Sequence, residues 1–458
     1  MKPKEILEAA LRGEATPRPA WVPFVGVHGG KLIGCGASEY LQSAEKLIAG
    51  QSKAIELYRP DGIPVVFDLQ LEAEVLGCTL HWAEAVPPSV TSHPLLTQDL
   101  AALPRLDETK GRYPLVTRAL DELVAAHGDE VAFYGLVCGP FTLALHLLGH
   151  DIFLEMFDNP ERIQDILAFA AETACAAAKI FSDHGAKVIA VVDPMTSQIS
   201  PEHFTEFVTP AVNRVFDYIR NDLKRFSSIF VCGDANRNLD LLVGTHADNV
   251  SVDEQIPIPR LRELAEAQGK SFGGNIRLTS VLLLGDERDA KLEALGLLEQ
   301  GGARGFILAP GCDLPYDTPP ANLQAVAEMV HDEYAREVAR TTLKAREADE
   351  FADITVPDYD AAQAVVLDVI TLDSSSCAPC QYMMEAVEKA AAAAAPLHVW
   401  VNEHKIKVRE GIGMMTKLGV KNLPTICIDG DVKFASLTPD HKTLVQAIRD
   451  RAREKGLL

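Results

Sequence analysis

The sequence predicts an α/β protein: a (β/α)8 TIM barrel followed by a small α/β domain. Three observations lead there. Short β-branched runs alternate with long helical patterns from Trp21 onward. Eight of these runs precede residue 340, the number that closes a parallel barrel. A charged, weakly apolar stretch then separates them from a second, shorter series of strands and helices.

The strands are expected at residues 21–27, 63–67, 131–137, 187–192, 228–231, 249–252, 271–273 and 305–308. Helical spacing covers 153–183, 201–223 and 320–337, each long enough to cross between parallel strands. Ser200-Pro201-Glu202 starts one helix with a capping hydroxyl and a proline suited to the first turn. A doubly wound open sheet is the competing arrangement. The domains are expected at 1–340 for the barrel, 341–360 for a charged linker carrying Lys344, Arg346, Glu347, Asp349, Glu350 and Asp353, and 361–458 for the second domain. In the latter, strands are expected at 364–372, 397–401 and 425–428, and the alanine run 390–395 closes a helix stopped by Pro396.

Composition narrows the function. The 458-residue chain is too long for one ordinary core, and its 47% apolar and 24% charged residues are those of a globular protein. No apolar run is long enough to predict a membrane span. The start, Met1-Lys2-Pro3-Lys4-Glu5, leads into an amphipathic stretch without an apolar signal core, so a cytoplasmic location is expected. A formal net charge of −22 offers no basic face to a phosphate backbone, which argues against nucleic acid as a partner. Nine cysteines in a chain of this length are not a disulfide framework, so their positions carry the information. Cys35, Cys78, Cys175 and Cys427 read as small core residues.

In a (β/α)8 barrel the chemistry collects where the strands end and their loops meet. The expected strand ends are His28, Asp68, Cys138, Asp193, Cys232, Asp253 with Glu254, Asn275 and Cys312, all polar or thiol-bearing. Cys232 and Cys312 each follow an apolar run that breaks at a glycine. If both face one mouth, they can share a metal or a substrate. Asp193 before Pro194 and Asn275 after Gly273-Gly274 can equally serve as backbone caps, and Cys138 before Gly139-Pro140 is expected to be packed.

These residues resemble the uroporphyrinogen decarboxylase superfamily over about residues 1–340, and within it the cobalamin-dependent methyltransferases. The motifs are Leu7-Glu8-Ala9-Ala10-Leu11-Arg12-Gly13, Asp68 with Glu72-Ala73-Glu74 and Gly77-Cys78, Gly139-Pro140-Phe141-Thr142-Leu143, Asp193-Pro194, Cys232-Gly233, Gly274-Asn275-Ile276, and Gly311-Cys312 followed by Thr318-Pro319-Pro320-Ala321-Asn322. The decarboxylase branch implies arginines on the first loop, an aspartate facing pyrrole nitrogens and a late histidine. Here only the aspartate, Asp68, matches; the loop reads His28-Gly29-Gly30-Lys31-Leu32, and Cys312 stands at the histidine position.

The methyltransferase branch implies zinc held by a His-x-Cys pair and a distant cysteine. Cys232 and Cys312 match the cysteines, while Phe230 occupies the histidine position. Either a carboxylate or imidazole from the mouth completes a zinc site, or the two cysteines form a redox pair. With zinc, a substrate thiol would ionise and take a methyl group from a corrinoid. Asp68 and Glu72 would orient the acceptor or the corrinoid, and His28, Asp193 and Asn275 would line its binding face. The implied partners are a corrinoid protein or small methyl donor and a thiol acceptor, with a homo-oligomer left open. A decarboxylase, or a non-catalytic tetrapyrrole- or corrinoid-binding redox protein, is the alternative.

In the second domain, Cys377-Ala378-Pro379-Cys380 follows a strand and opens a helix, where the positive helix end favours thiolate. Cys377 is the expected attacking thiol and Cys380 the resolving one. Leu423-Pro424-Thr425 before a strand resembles the cis-proline loop of the thioredoxin family, so Pro424 joins the expected catalytic set of a thioredoxin-like thiol–disulfide domain.

Overall fold

A computed structural model describes residues 1–343, 351, 353–374 and 378–458. The chain divides into two compact units, Met1–Ala345 and Arg346–Leu458.

In the first unit the strands are β1 (Ala20–Trp21), β2 (Gly62–Pro64), β3 (Ala132–Cys138), β4 (Val188–Val192), β5 (Phe226–Val231), β6 (Asn249–Val252), β7 (Ser271–Ile276) and β8 (Phe306–Pro310). All neighbouring pairs are parallel, in the order β1-β8-β7-β6-β5-β4-β3-β2. This nearly closed eight-stranded sheet is a TIM barrel rather than an open doubly wound sheet. Its β1/β2 seam carries one backbone bond, Asp61 N donating to Trp21 O at 2.9 Å. The Asp61 carboxylate accepts from Trp21 N at 2.8 Å and takes a two-point bond from Arg18 at 2.6 and 2.7 Å. β1 and β2 are shorter than the apolar runs suggest because Pro23 and Pro64 have no N–H to donate to a ladder.

Strand alternation builds two cores. Val188, Ala190 and Val192 of β4, Phe230 of β5, and Ile307 and Ala309 of β8 point into the barrel. Ile189, Val191, Ile229, Val231 and Leu308 point outward to the helices. The barrel floor is closed by the N-terminal helix Pro3–Leu11, whose Ile6, Leu7, Ala10 and Leu11 join the inner cluster.

The expected helices are present, with breaks where proline or a capping carboxylate falls. The 153–183 segment divides at Pro160 into Ile152–Asp158 and Pro160–Asp183. The 320–337 segment divides at Asp332, which accepts from Ala335 N at 2.9 Å and starts a new helix. Among the described residues, no helix is long and apolar enough to cross a membrane.

The second unit has β9 (Val365–Thr371), β10 (Val399–Lys405), β11 (Thr425–Ile428) and β12 (Asp431–Ala435), in the order β10-β9-β11-β12. β10 is parallel to β9, while β11 and β12 run antiparallel. Helices Ala378–Ala393, Arg409–Lys417 and His441–Glu454 complete a βαβαββα order. Val365, Leu367, Val369, Met383, Val387, Ile426, Leu444 and Ile448 give this unit its own core. Asp429 is buried yet paired, with Arg451 at 3.0 Å, Lys455 at 3.1 Å and Val366 N at 2.8 Å.

Candidate active site at the barrel mouth

β5 and β8 are not neighbours in the sheet, yet Cys232 and Cys312, just beyond their C-terminal ends, have Cα atoms 5.9 Å apart. The structure joins them as a disulfide across 80 residues of sequence. The expected shared metal site is therefore replaced by a covalent pair. Among the described residues, no three His, Cys, Asp or Glu side chains form a group that could hold a metal ion.

Phe230 explains why zinc does not fit. Two residues before Cys232 on the strand, it faces the same side, into the barrel. There it stacks on Phe24 at 4.8 Å between centroids and meets Phe67 edge-on at 6.0 Å. The place a third ligand would take is thus an apolar aromatic floor. Two sulfurs over such a floor are fewer donors than a zinc site requires.

Asp253 and Glu254, after β6, lie between the two cysteine loops. Asp253 accepts from Gly233 N at 2.9 Å, next to Cys232. Glu254 abuts Gly311, next to Cys312: a Cβ at 311 would come within 2.8 Å of Glu254 N. Glu254 also accepts from Leu278 N at 2.6 Å. Burial raises Asp253 to about 6; burial and then the charge of Asp253 raise Glu254 to about 7. Asp313, adjoining Cys312, accepts from Gly26 N at 2.8 Å, and burial raises its pKa strongly.

Asp68 and Glu72 form a second cluster beyond β2. Asp68 is buried and accepts a short bond from Arg112, which also donates to Glu74 at 2.8 Å and lies 4.8 Å from the Trp82 ring centre. Glu72 is fully buried, accepts from Cys138 N at 3.3 Å, and is raised to about 7, chiefly by burial. The Tyr113 hydroxyl lies beside Glu72 without a well-aligned bond to it. Arg112 Nη2 and His146 Nδ1 also have no hydrogen-bond partner among the described residues. Buried polar atoms left open in this way call for a partner, either a water or a polar guest.

Three expected binding residues make bonds within the barrel. His28 is buried; its Nδ1 contacts Tyr316 O at 3.2 Å and its Nε2 the Tyr58 hydroxyl at 2.7 Å. Desolvation lowers it to about 4, so the neutral ring donates to the carbonyl and accepts from the hydroxyl. Asp193 caps the helix Pro140–Leu148, accepting from Thr142 N at 2.8 Å, Thr142 Oγ1 at 2.6 Å and Phe141 N at 3.2 Å. Asn275 spends its Nδ2 on Asp253 O and Ile256 O, at 2.8 and 2.7 Å.

Arg112, Tyr113, His146 and Asp313 were not foreseen as site residues. Asp313 directly follows Cys312 and was within reach of a strand-end reading. Arg112 sits at the start of helix Tyr113–His127, and nothing local links it to Asp68, 44 positions away. In the second unit, Cys380 is buried and disulfide-bonded, and Pro424 is buried just before β11. Cys377 lies outside the described residues.

The family model for uroporphyrinogen decarboxylase matches residues 2–333. The chain belongs to this family. Within it, the chain is 28% identical over 333 residues to a methylcobamide:CoM methyltransferase of Methanosarcina acetivorans, covering 71% of this chain and 96% of that one. It is 28% identical over 250 residues to the uroporphyrinogen decarboxylase of Aquifex aeolicus, covering 52% and 69%. A solved methyltransferase from Methanosarcina mazei shares the fold, with a TM-score of 0.68 and 24% identity over 73% of this chain and 99% of that one. The decarboxylase-family match ends at residue 333, before the second unit.

Proposed function

We propose that the barrel is a corrinoid-dependent methyltransferase that passes a methyl group to a thiol or similar acceptor. One observation carries the reading: two cysteines from separate strands converge on a carboxylate-lined mouth, in a chain similar along most of its barrel to methylcobamide:CoM methyltransferases. A methyl donor of the corrinoid class, free or carried by a partner protein, enters as substrate. The acceptor thiol gives its proton to Glu254, whose pKa near neutrality suits a base. Its sulfur forms the new S–C bond as the old methyl bond breaks, and that electron pair leaves with the corrinoid. Arg112 and Glu72 supply the open donor and acceptor that orient the guest, with Asp68 holding Arg112 in place. No step is routed through zinc, because the ligands do not fit it.

The decarboxylase alternative is weakened at Asp68. Its carboxylate is held by Arg112 and Gln70 N rather than left free for pyrrole nitrogens. For the second unit we infer a thioredoxin-like thiol–disulfide domain. Its βαβαββα order, the disulfide-bonded Cys380 at a helix start and Pro424 buried just before β11 support that reading. A cytoplasmic location is part of the same proposal.

The test is direct. Fully reduced protein, methylcobalamin and 2-mercaptoethanol should give the S-methyl thioether by mass spectrometry, well above the protein-free rate, and Glu254→Gln should cut that rate at least tenfold. Turnover of uroporphyrinogen with no thioether would instead establish the decarboxylase.

A further inference from the structure

Among the described residues the free cysteines are Cys35, Cys78, Cys138, Cys175 and Cys427; all have thiols pushed upward by desolvation, and Cys78, Cys138 and Cys427 are buried. Cys232 and Cys312 differ in pairing and in place. They are paired, they are only partly buried, and they sit where the barrel opens rather than in its packed floor. Their Cα separation of 5.9 Å lies in the ordinary range for a disulfide, so the backbone places the two sulfurs within bonding reach. Phe230 removes the third ligand that would have committed both sulfurs to zinc.

We propose that Cys232–Cys312 is a thiol–disulfide exchange site of the barrel itself, reduced by small uncharged dithiols. The exchange balances as one dithiol plus the protein disulfide giving one cyclic disulfide plus two protein thiols. An incoming thiolate attacks one sulfur, the S–S bond breaks, and the other sulfur leaves with the electron pair and takes up a proton. The second thiol of the reductant then closes its own ring, breaking the mixed disulfide and freeing the second cysteine. Asp253, Glu254 and Asp313 surround the pair, and the chain's net charge of −22 disfavours reductants that bring further negative charge. The inference stands apart from the methyl-transfer reading, but it bears on it. An oxidised pair would capture an acceptor thiol as a mixed disulfide, so methyl transfer requires the reduced pair.

The experiment is a redox titration of the full chain across ratios of reduced to oxidised dithiothreitol. Acid quenching, differential alkylation and peptide mass spectrometry then read each cysteine separately. Cys232 and Cys312 are expected to pass together from paired to alkylated in one transition, tenfold in population for each tenfold in the ratio. Far-UV circular dichroism should stay constant throughout, with Cys78 and Cys138 unlabelled as markers of the folded barrel. In Cys232→Ser, Cys312 should be labelled at every ratio. Reduction only where the barrel also unfolds would overturn the proposal by making the bond a static staple. So would a pair alkylated at every ratio, or about one zinc per chain protecting both sulfurs. None of these readouts depends on methyl transfer, so failure of either reading is seen separately.

Discussion

Phe230 decides the chemistry of the mouth, because a strand side chain two positions before Cys232 shares its inward direction. Phe230→His should restore a third donor. Reduced protein carrying it is expected to bind about one zinc per chain by elemental analysis, at a cost of about 2 kcal/mol in urea unfolding from the lost aromatic packing. Arg112 is the second decisive residue. Arg112→Met would leave Asp68 buried without its cation and should cost about 3–5 kcal/mol, while adding Asp68→Asn should recover most of that loss. Glu72 sets a pH dependence. Its folded pKa, about 7, is above the ordinary 4.5, so the folded state holds the proton more tightly. The associated stability is complete below about pH 4.5 and is lost as pH rises through 7, with Asp193, Asp253 and Glu254 acting in the same direction. The melting temperature should therefore fall between pH 5 and 8, and Glu72→Gln should flatten that fall.

At the level of elements, the barrel ties its strand ends together with polar side chains. Asp193, at the end of β4, satisfies the first amides of the helix that follows β3, and Gly139 is small because a Cβ there would meet Asp193 at 2.3 Å. Asp193→Ala should lose about 2 kcal/mol of barrel stability in urea unfolding and leave the second unit's transition unchanged. The Gly-Pro-Phe-Thr and Asp-Pro motifs are thus two halves of one cap. Sequence placed both segments correctly at strand ends, and capping stood among the readings for Asp193 and Asn275. Which role prevailed depended on Thr142, Phe141, Asp253 and Ile256, all distant in sequence from the residues they satisfy.

For the whole molecule, the second unit carries a separate apolar core and a separate sheet. Residues 353–458 expressed alone should fold with a single cooperative thermal transition, because β9–β12 and their helices pack a core of their own. Local pattern alone determined the alternating strands and helices, the two cysteines at strand ends and the acidic mouth, since each follows from short-range periodicity and turn residues. Only the tertiary structure decided that Cys232 and Cys312 bond to each other, that Arg112 takes Asp68, and that His28 is sealed between Tyr58 and Tyr316. The physical reason is common to all three. A partner is chosen by distance in space and by the cost of burying a polar group unpaired, and neither is written in the spacing of residues along the chain.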